Sequence, residues 1–196
     1  TNPVVNKNLS SLFKNCSSFT TLDVSDWDVS GVKRMRSLFQ SCEQLTEIDT
    51  ALWDMSTVID VGNMFGYCTV LTSLKGEAWD VREVISLDGF VRSCTTITTA
   101  PCSLWQTDSL EDAHEAFSSC ANLVSADVAG WDMSTVTDVG SMFYDCTSLT
   151  TIDTALWSTP LLGLADLMFY DCNSLTTLDV SGWDMSSCTT IDSMFT

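Results

Sequence analysis

The chain is expected to fold as an α/β solenoid, a curved array with one short parallel β-strand and one helix in each 26-residue repeat. Three observations predict this. All seven tryptophans, at 27, 53, 79, 105, 131, 157 and 183, recur every 26 residues without an insertion or deletion. Cysteine keeps the same interval at 16, 42, 68, 94, 120, 146 and 172, and Phe keeps it at 13, 39, 65, 117, 143, 169 and 195, with Val91 as the single substitute. Apolar residues inside each unit follow two different spacings, so each unit holds two elements. With Phe as position 1, residues 13–194 form one solenoid domain of seven complete units, residues 1–12 are the back half of a preceding unit, and residues 195–196 open an eighth.

Positions 7, 10, 12, 15 and 17, occupied by Leu175, Leu178, Val180, Trp183 and Met185 in the last unit, predict a short strand followed by a tight turn. Positions 20, 23, 26, 1 and 4, such as Val136, Val139, Met142, Phe143 and Cys146, form a stripe that fits about three turns of helix. Ahead of the stripe stand Ser56-Thr57 or Ser134-Thr135, with Asp60 or Asp138 three residues after the Thr. That spacing predicts a capping box with Asp in place of Glu. A strand or helix this short cannot bury its apolar stripe alone, so successive units must stack. Strands stack about 4.8 Å apart, whereas helices need about 8–10 Å, so the stack is expected to curve with its sheet on the concave side.

The composition narrows function. Among 196 residues, 26 Asp plus Glu face 8 Lys plus Arg, a net charge of −18, yet 45% are hydrophobic and only 17% charged, which describes a folded chain and not an acidic disordered tail. All eight basic residues lie at or before Arg92, and residues 93–196 carry fourteen acids with no Lys or Arg. Such a surface repels phosphate backbones and anionic lipid, so no nucleic-acid partner is expected. No apolar run reaches the roughly 18 residues of a membrane span, so this segment is not expected to insert in a membrane. The start at Thr1 reads as a mature or excised fragment. The single histidine, His114, lies between Glu111 and Glu115 on what is expected to be a solvated helix face. With no nucleophile elbow, phosphate loop or HExxH motif, no enzyme is expected.

The repeated columns are the remaining candidates. The cysteines are expected to form a ladder of small buried thiols. They contain no CxxC pair and are spread evenly instead of converging as zinc ligands do, although disulfides between neighbours remain open. Cys102 and Cys188 fall at positions 12 and 20 and replace apolar residues. The tryptophans are expected to stack on their copies in the core, with a carbohydrate-stacking row as the alternative. Asp at position 16 (Asp28, Asp54, Asp80, Asp132, Asp184) gives way to Gln106 and Ser158, which keep an acceptor, as a turn cap would. At position 11 (Asp23, Asp49, Asp127, Asp153, Asp179) the replacements are Lys75 and Pro101, so the fold is not expected to need Asp there.

Strand alternation points positions 9 and 11 outward. The candidate binding ladder is therefore Thr21, Asp23, Glu47, Asp49, Ser73, Lys75, Thr99, Ser125, Asp127, Thr151, Asp153, Thr177 and Asp179. Its stacked carboxylates need compensation from solvent, a basic partner or cations, and Ca²⁺ is a weak possibility at Asp127, Asp153 and Asp179; no other cofactor or metal is expected. The interruptions at Lys75 and Pro101 mark a second candidate patch. Positions 8 and 9 should face opposite ways, which argues against a flat ice-binding threonine face.

The string LTTLDVSGWDMS, residues 175–186, resembles the leucine-rich-repeat pattern LxxLxLxxNxL, with Trp183 where that family usually has Asn. The longer form, S-L-x-x-L-D-V-S-x-W-D-M-S-x-V-x-D-M-x-x-M-F-x-x-C, resembles the BspA-like leucine-rich-repeat surface proteins of bacteria over essentially the whole chain. Departures cluster in the fourth unit, at Val91, Ala100, Pro101, Cys102, Gln106 and Thr107. The resemblance implies an extracellular, cell-surface protein associated with adhesion or host contact. The expected function is thus a non-enzymatic, surface-displayed binding or adhesion module that holds a protein or glycan ligand of another cell or surface on its concave ladder. A stalk or filament segment assembled end to end from stacked repeats, and a cation-binding acidic solenoid, are the alternatives.

Overall fold

The computed structural model describes residues 8–195. Like residues lie over like: position 9 pairs with position 9 of the next coil in parallel register from Thr21 to Ser73 and again from Thr99 to Thr151. The strands are only two residues long. β1 (Glu47–Ile48) pairs with β2 (Ser73–Leu74), and β3 (Ser125–Ala126) pairs with β4 (Thr151–Ile152). Single bridges extend these ladders to Thr21 and Thr99. A second parallel ladder at position 22 runs unbroken through Asn8, Arg34, Asp60, Ser86, Asp112, Asp138, Leu164 and Thr190. The 26-residue register and parallel pairing match the sequence expectation, and the short strand is only two residues long.

The expected helix in each repeat is absent among the described residues, so the α/β assignment is corrected to a solenoid of turns and short bridges. The second half of each coil is instead a string of overlapping turns. In the coil around Phe39, the amides of Leu38, Gln40 and Cys42 donate to the carbonyls of Met35, Ser37 and Phe39, three residues back. The amides of Met35, Ser37, Phe39 and Ser41 point along the solenoid and donate to Asp60, Gly62, Met64 and Gly66 of the next coil at 2.8–2.9 Å. An α-helix would direct every amide to i−4. What prevents it is a residue with positive φ at positions 25 and 3 of each coil, for example Ser37 (58°) and Ser41 (60°), or Gly89 (60°) and Ser93 (58°).

The aromatic columns show why a helix could not fit. Phe13–Phe39, Phe39–Phe65, Phe117–Phe143 and Phe143–Phe169 stack with centroids 5.3–5.6 Å apart. Tryptophan pairs stack at 5.7–6.3 Å on the strand side. Both sides of the coil therefore rise by nearly the same small step, well under the 8–10 Å between packed helices, and the physical reason for expecting a concave sheet disappears. The capping boxes are also corrected. Thr57 and Thr135 hydroxyls donate to Val32 O and Leu110 O of the preceding coil, and Asp60 and Asp138 accept the amides of Gly62 and Gly140.

The core runs from Leu9 to Met194 as one apolar cluster. Its repeated side chains also satisfy backbone groups. The thiols at position 4 donate to the position 1 carbonyl of the coil before, as in Cys68 to Phe39 O at 3.2 Å and Cys94 to Phe65 O at 3.1 Å. All nine cysteines are free, seven of them buried, including Cys102. Tryptophan indoles donate to the position 12 carbonyl of the preceding coil: Trp53 to Val24 O, Trp79 to Thr50 O, Trp105 to Gly76 O and Trp157 to Val128 O, at 2.8–3.0 Å. Trp131 Nε1 is buried without a partner.

That contrast gives a test. Trp105→Phe removes a buried hydrogen bond as well as volume, whereas Trp131→Phe removes volume alone. Chemical denaturation should show the Trp105 variant less stable than the Trp131 variant by about 1 kcal/mol; equal losses would mean that the indole bond contributes nothing.

Candidate functional site

The strand corner is built by two Asx turns. Asp at position 11 accepts the amide two residues on (Asp23 to Ser25, Asp49 to Ala51, Asp153 to Ala155, Asp179 to Ser181) at 2.9–3.2 Å. Asp at position 16 does the same, as in Asp28 with Ser30, Asp54 with Ser56 and Asp132 with Ser134. The reading that the fold has no use for Asp at position 11 is therefore corrected, since both columns cap turns. Between them the Trp amide closes a turn onto position 12, as Trp53 does on Thr50 O, leaving positions 13 and 14 at its tip.

The thirteen ladder residues lie at the surface, eleven of them exposed and Asp49 and Ser125 half-buried. The structure brings six together: Thr21, Asp23, Glu47, Asp49, Ser73 and Lys75, with Leu22 and Ile48 at the floor, line a recess of about 250 Å³. Lys75 Nζ pairs with Asp49 Oδ2 at 2.7 Å. The interruption in the acidic column thus neutralises the neighbouring acid, holding the Lys75 pKa above and the Asp49 pKa below their usual values. The hydrogen bonds from Ser25 hold Asp23 low as well. The other seven ladder residues, from Thr99 onward, lie beyond a break. No bridge joins Ser73 to Thr99 among the described residues, and Pro101, which has no amide hydrogen, is buried in that coil. Pro101 therefore offers no surface for the second candidate patch.

Two further expectations change. Position 8 is exposed alongside position 9, because the strand is too short to impose alternation there. Its threonine hydroxyls are engaged, Thr46 and Thr72 donating to Thr20 O and Thr46 O of the preceding coil. Nor do Asp127, Asp153 and Asp179 converge: among the described residues no three His, Cys, Asp or Glu side chains form a group able to hold a metal ion.

The second ladder carries charges that the repeat pattern did not single out. Arg36 bridges Asp60 (3.2 Å) and Asp88 of two successive coils, and Arg92 pairs with Glu115. His114 Nδ1 lies 3.5 Å from Asp138 Oδ1. Three basic residues, Arg36, Lys75 and Arg92, thus pair with acids of other coils, while Arg82 pairs with Asp80 of its own. The buried cysteines offer no nucleophile: burial pushes the Cys68 and Cys102 thiols up to about 12 and raises Cys94 and Cys120 well above the usual thiol range, so the thiolate is suppressed there. What remains is an exposed array of hydroxyls and carboxylates with one ammonium, able to hydrogen-bond and pair charge.

Comparison with known proteins adds a family. The model of the family described as "Mycoplasma protein of unknown function, DUF285" matches residues 3–100 and 86–196; its name differs from that of the BspA-like group which the repeat resembles. No curated protein matches. Among solved structures, a leucine-rich repeat protein of T. pallidum (TpLRR) is similar at 18% identity, covering 80% of this chain and 77% of that one, with a TM-score of 0.43.

The His114–Asp138 pair predicts a pH dependence. Asp138 raises the imidazolium pKa to about 9 against the opposing effect of partial burial, with Glu115 and Asp88 adding to the rise. A pKa raised on folding adds stability that is whole below about pH 6.5 and is lost as pH climbs toward 9. The melting temperature should fall between pH 6.5 and 8.5, and His114→Gln should flatten that fall; an unchanged slope would exclude the pair as its cause.

Proposed function

This chain belongs to the DUF285 family of Mycoplasma proteins, and we propose that it is a non-enzymatic binding module that presents its position 9 and 11 ladder to a protein or glycan ligand. The observation that carries this reading is the recess over Thr21, Asp23, Glu47, Asp49, Ser73 and Lys75. It gathers hydroxyls, carboxylates and an ammonium from three successive coils whose spacing is set by backbone pairing. A ligand meeting such a surface finds polar groups already in place, which limits the ordering cost of association. Seven of the nine thiols are buried and the single histidine lies beside Asp138, away from this surface, whose Asp carboxylates and ammonium are tied up in turn caps and the Lys75–Asp49 pair; this supports a binding role over a catalytic one. The BspA-like resemblance of the repeat supports display at the cell surface and a role in adhesion. Mild protease treatment of intact cells tests display: loss of the protein from undamaged cells supports it, and full protection overturns it.

The binding reading is tested with arrays of cell-surface proteins and glycans. The probe is the wild-type chain beside a variant in which Asp23, Asp49, Asp127, Asp153 and Asp179 are all changed to Asn. Asn keeps the turn-capping acceptor, so the melting temperature should shift little while retention falls at least tenfold. Retention of a basic ligand should also drop steeply with added salt. Equal retention by both proteins would place the binding surface elsewhere.

A further inference from the structure

Position 14, at the tip of the strand-side turn, shows a period that the 26-residue repeat conceals. Leu52, Leu104 and Leu156 alternate with Ala78, Gly130 and Gly182, so a large apolar side chain recurs every second coil. All three leucines project into solvent, at 81%, 69% and 80% exposure. No core packing explains them. The gaps between them are open: a Cβ on Gly130 would meet nothing within 4 Å, and a recess of about 360 Å³ lies beside Ala78 and Leu104. Two coils rise by about 10 Å on strand spacing, and the neighbouring Trp79–Trp105 and Trp105–Trp131 centroids lie 5.9 and 6.2 Å apart. Residues seven apart on an α-helix are separated by about 10.5 Å, so a helix laid along this ridge can seat one side chain in each gap.

The flanks say what kind of helix fits. Asp49 and Asp54 stand either side of Leu52 and cap its corner, and Asp127 and Asp132 stand either side of Gly130, while Pro101 and Gln106 interrupt the two columns beside Leu104. The one basic side chain beside the recess, Arg82, is already paired with Asp80 at 2.5 Å. A second copy of this chain would set acid against acid, at −18 each. We infer that the Leu52–Leu104–Leu156 ridge docks a cationic amphipathic helix of another protein, its apolar side chains at seven-residue intervals filling the gaps at Ala78 and Gly130 and its Lys or Arg residues facing the two Asp columns. The leucines lie outside the recess proposed above, with the position 11 Asp column shared between the two surfaces, and the inference goes beyond that reading.

The probe is a synthetic 21-residue Leu/Lys peptide with leucine on one heptad face, labelled for fluorescence anisotropy, beside a control in which every leucine is serine. The leucine peptide should bind the wild-type chain at least tenfold more tightly than the control peptide. Leu52→Ser/Leu104→Ser/Leu156→Ser should lose at least tenfold in affinity with an unchanged melting temperature, since all three side chains are exposed. Gly130→Leu, which has room to fold, fills a gap and should also weaken binding severalfold. Equal binding of the two peptides, an unaffected triple variant, or tighter binding by Gly130→Leu would each overturn the proposal, reducing the ridge to charge attraction or general apolar adhesion. Dimerisation of the wild type that the triple variant abolishes would overturn it in favour of a second copy. None of these substitutions touches the recess residues, so failure here leaves the ladder reading standing.

Discussion

A rise of about 5 Å per coil, imposed by backbone hydrogen bonding between successive turns of chain, is the constraint from which the rest of this structure follows. At that spacing each residue meets its own copy above and below. Every column must then be able to stack on itself: Phe on Phe, indole on indole, thiol beside thiol. The same spacing excludes anything as wide as a helix. It converts the second half of each coil into turns whose alternate amides are shared with the next coil, which satisfies donors that a buried loop would otherwise leave unpaired.

Stacking like on like suits apolar columns and strains charged ones. The chain disperses that strain in three ways. Exposed Asp columns are tied to backbone amides and serine hydroxyls, as at Asp23 and Asp28, which favours the ionised form. Where a carboxylate sits deeper, as Asp112 does, burial raises its pKa. In the first half, basic side chains answer acids of other coils, most directly in the Arg36 bridge to Asp60 and Asp88 and in Lys75 beside Asp49. Beyond Arg92 the chain has no such residue except His114. Many acids of that half, among them Asp127, Asp132, Asp153 and Asp179, face solvent, so the negative charge is concentrated there.

The candidate site was legible in part. Pairing of position 9 follows directly from the period, so Thr21, Glu47 and Ser73 could be placed in one row before any coordinates. Their grouping with Asp23, Asp49 and Lys75 in one recess could not, because it depends on how the corner turns after a two-residue strand. The value of Asp at position 11 was misjudged because Lys75 and Pro101 looked like free substitutions. In place, Lys75 pairs with a neighbouring Asp and Pro101 is buried where the ladder breaks. The leucine ridge was written plainly in the sequence at a 52-residue interval, yet the stronger 26-residue period masked it.

The sequence by itself determined the coil length, the parallel register and the identity of the core columns, because these depend only on spacing, and seven unbroken copies leave spacing unambiguous. Conformation within the coil was decided by tertiary stacking. Apolar residues three, three, one and three apart satisfy a helical stripe and a chain of turns equally well. The small polar residues at positions 25 and 3, such as Ser37, Ser41 and Asn63, tolerate the left-handed backbone without announcing it. Only the demand that every amide find a partner at a 5 Å rise selects the turns, since that partner lies in the adjacent coil and not four residues back along the chain.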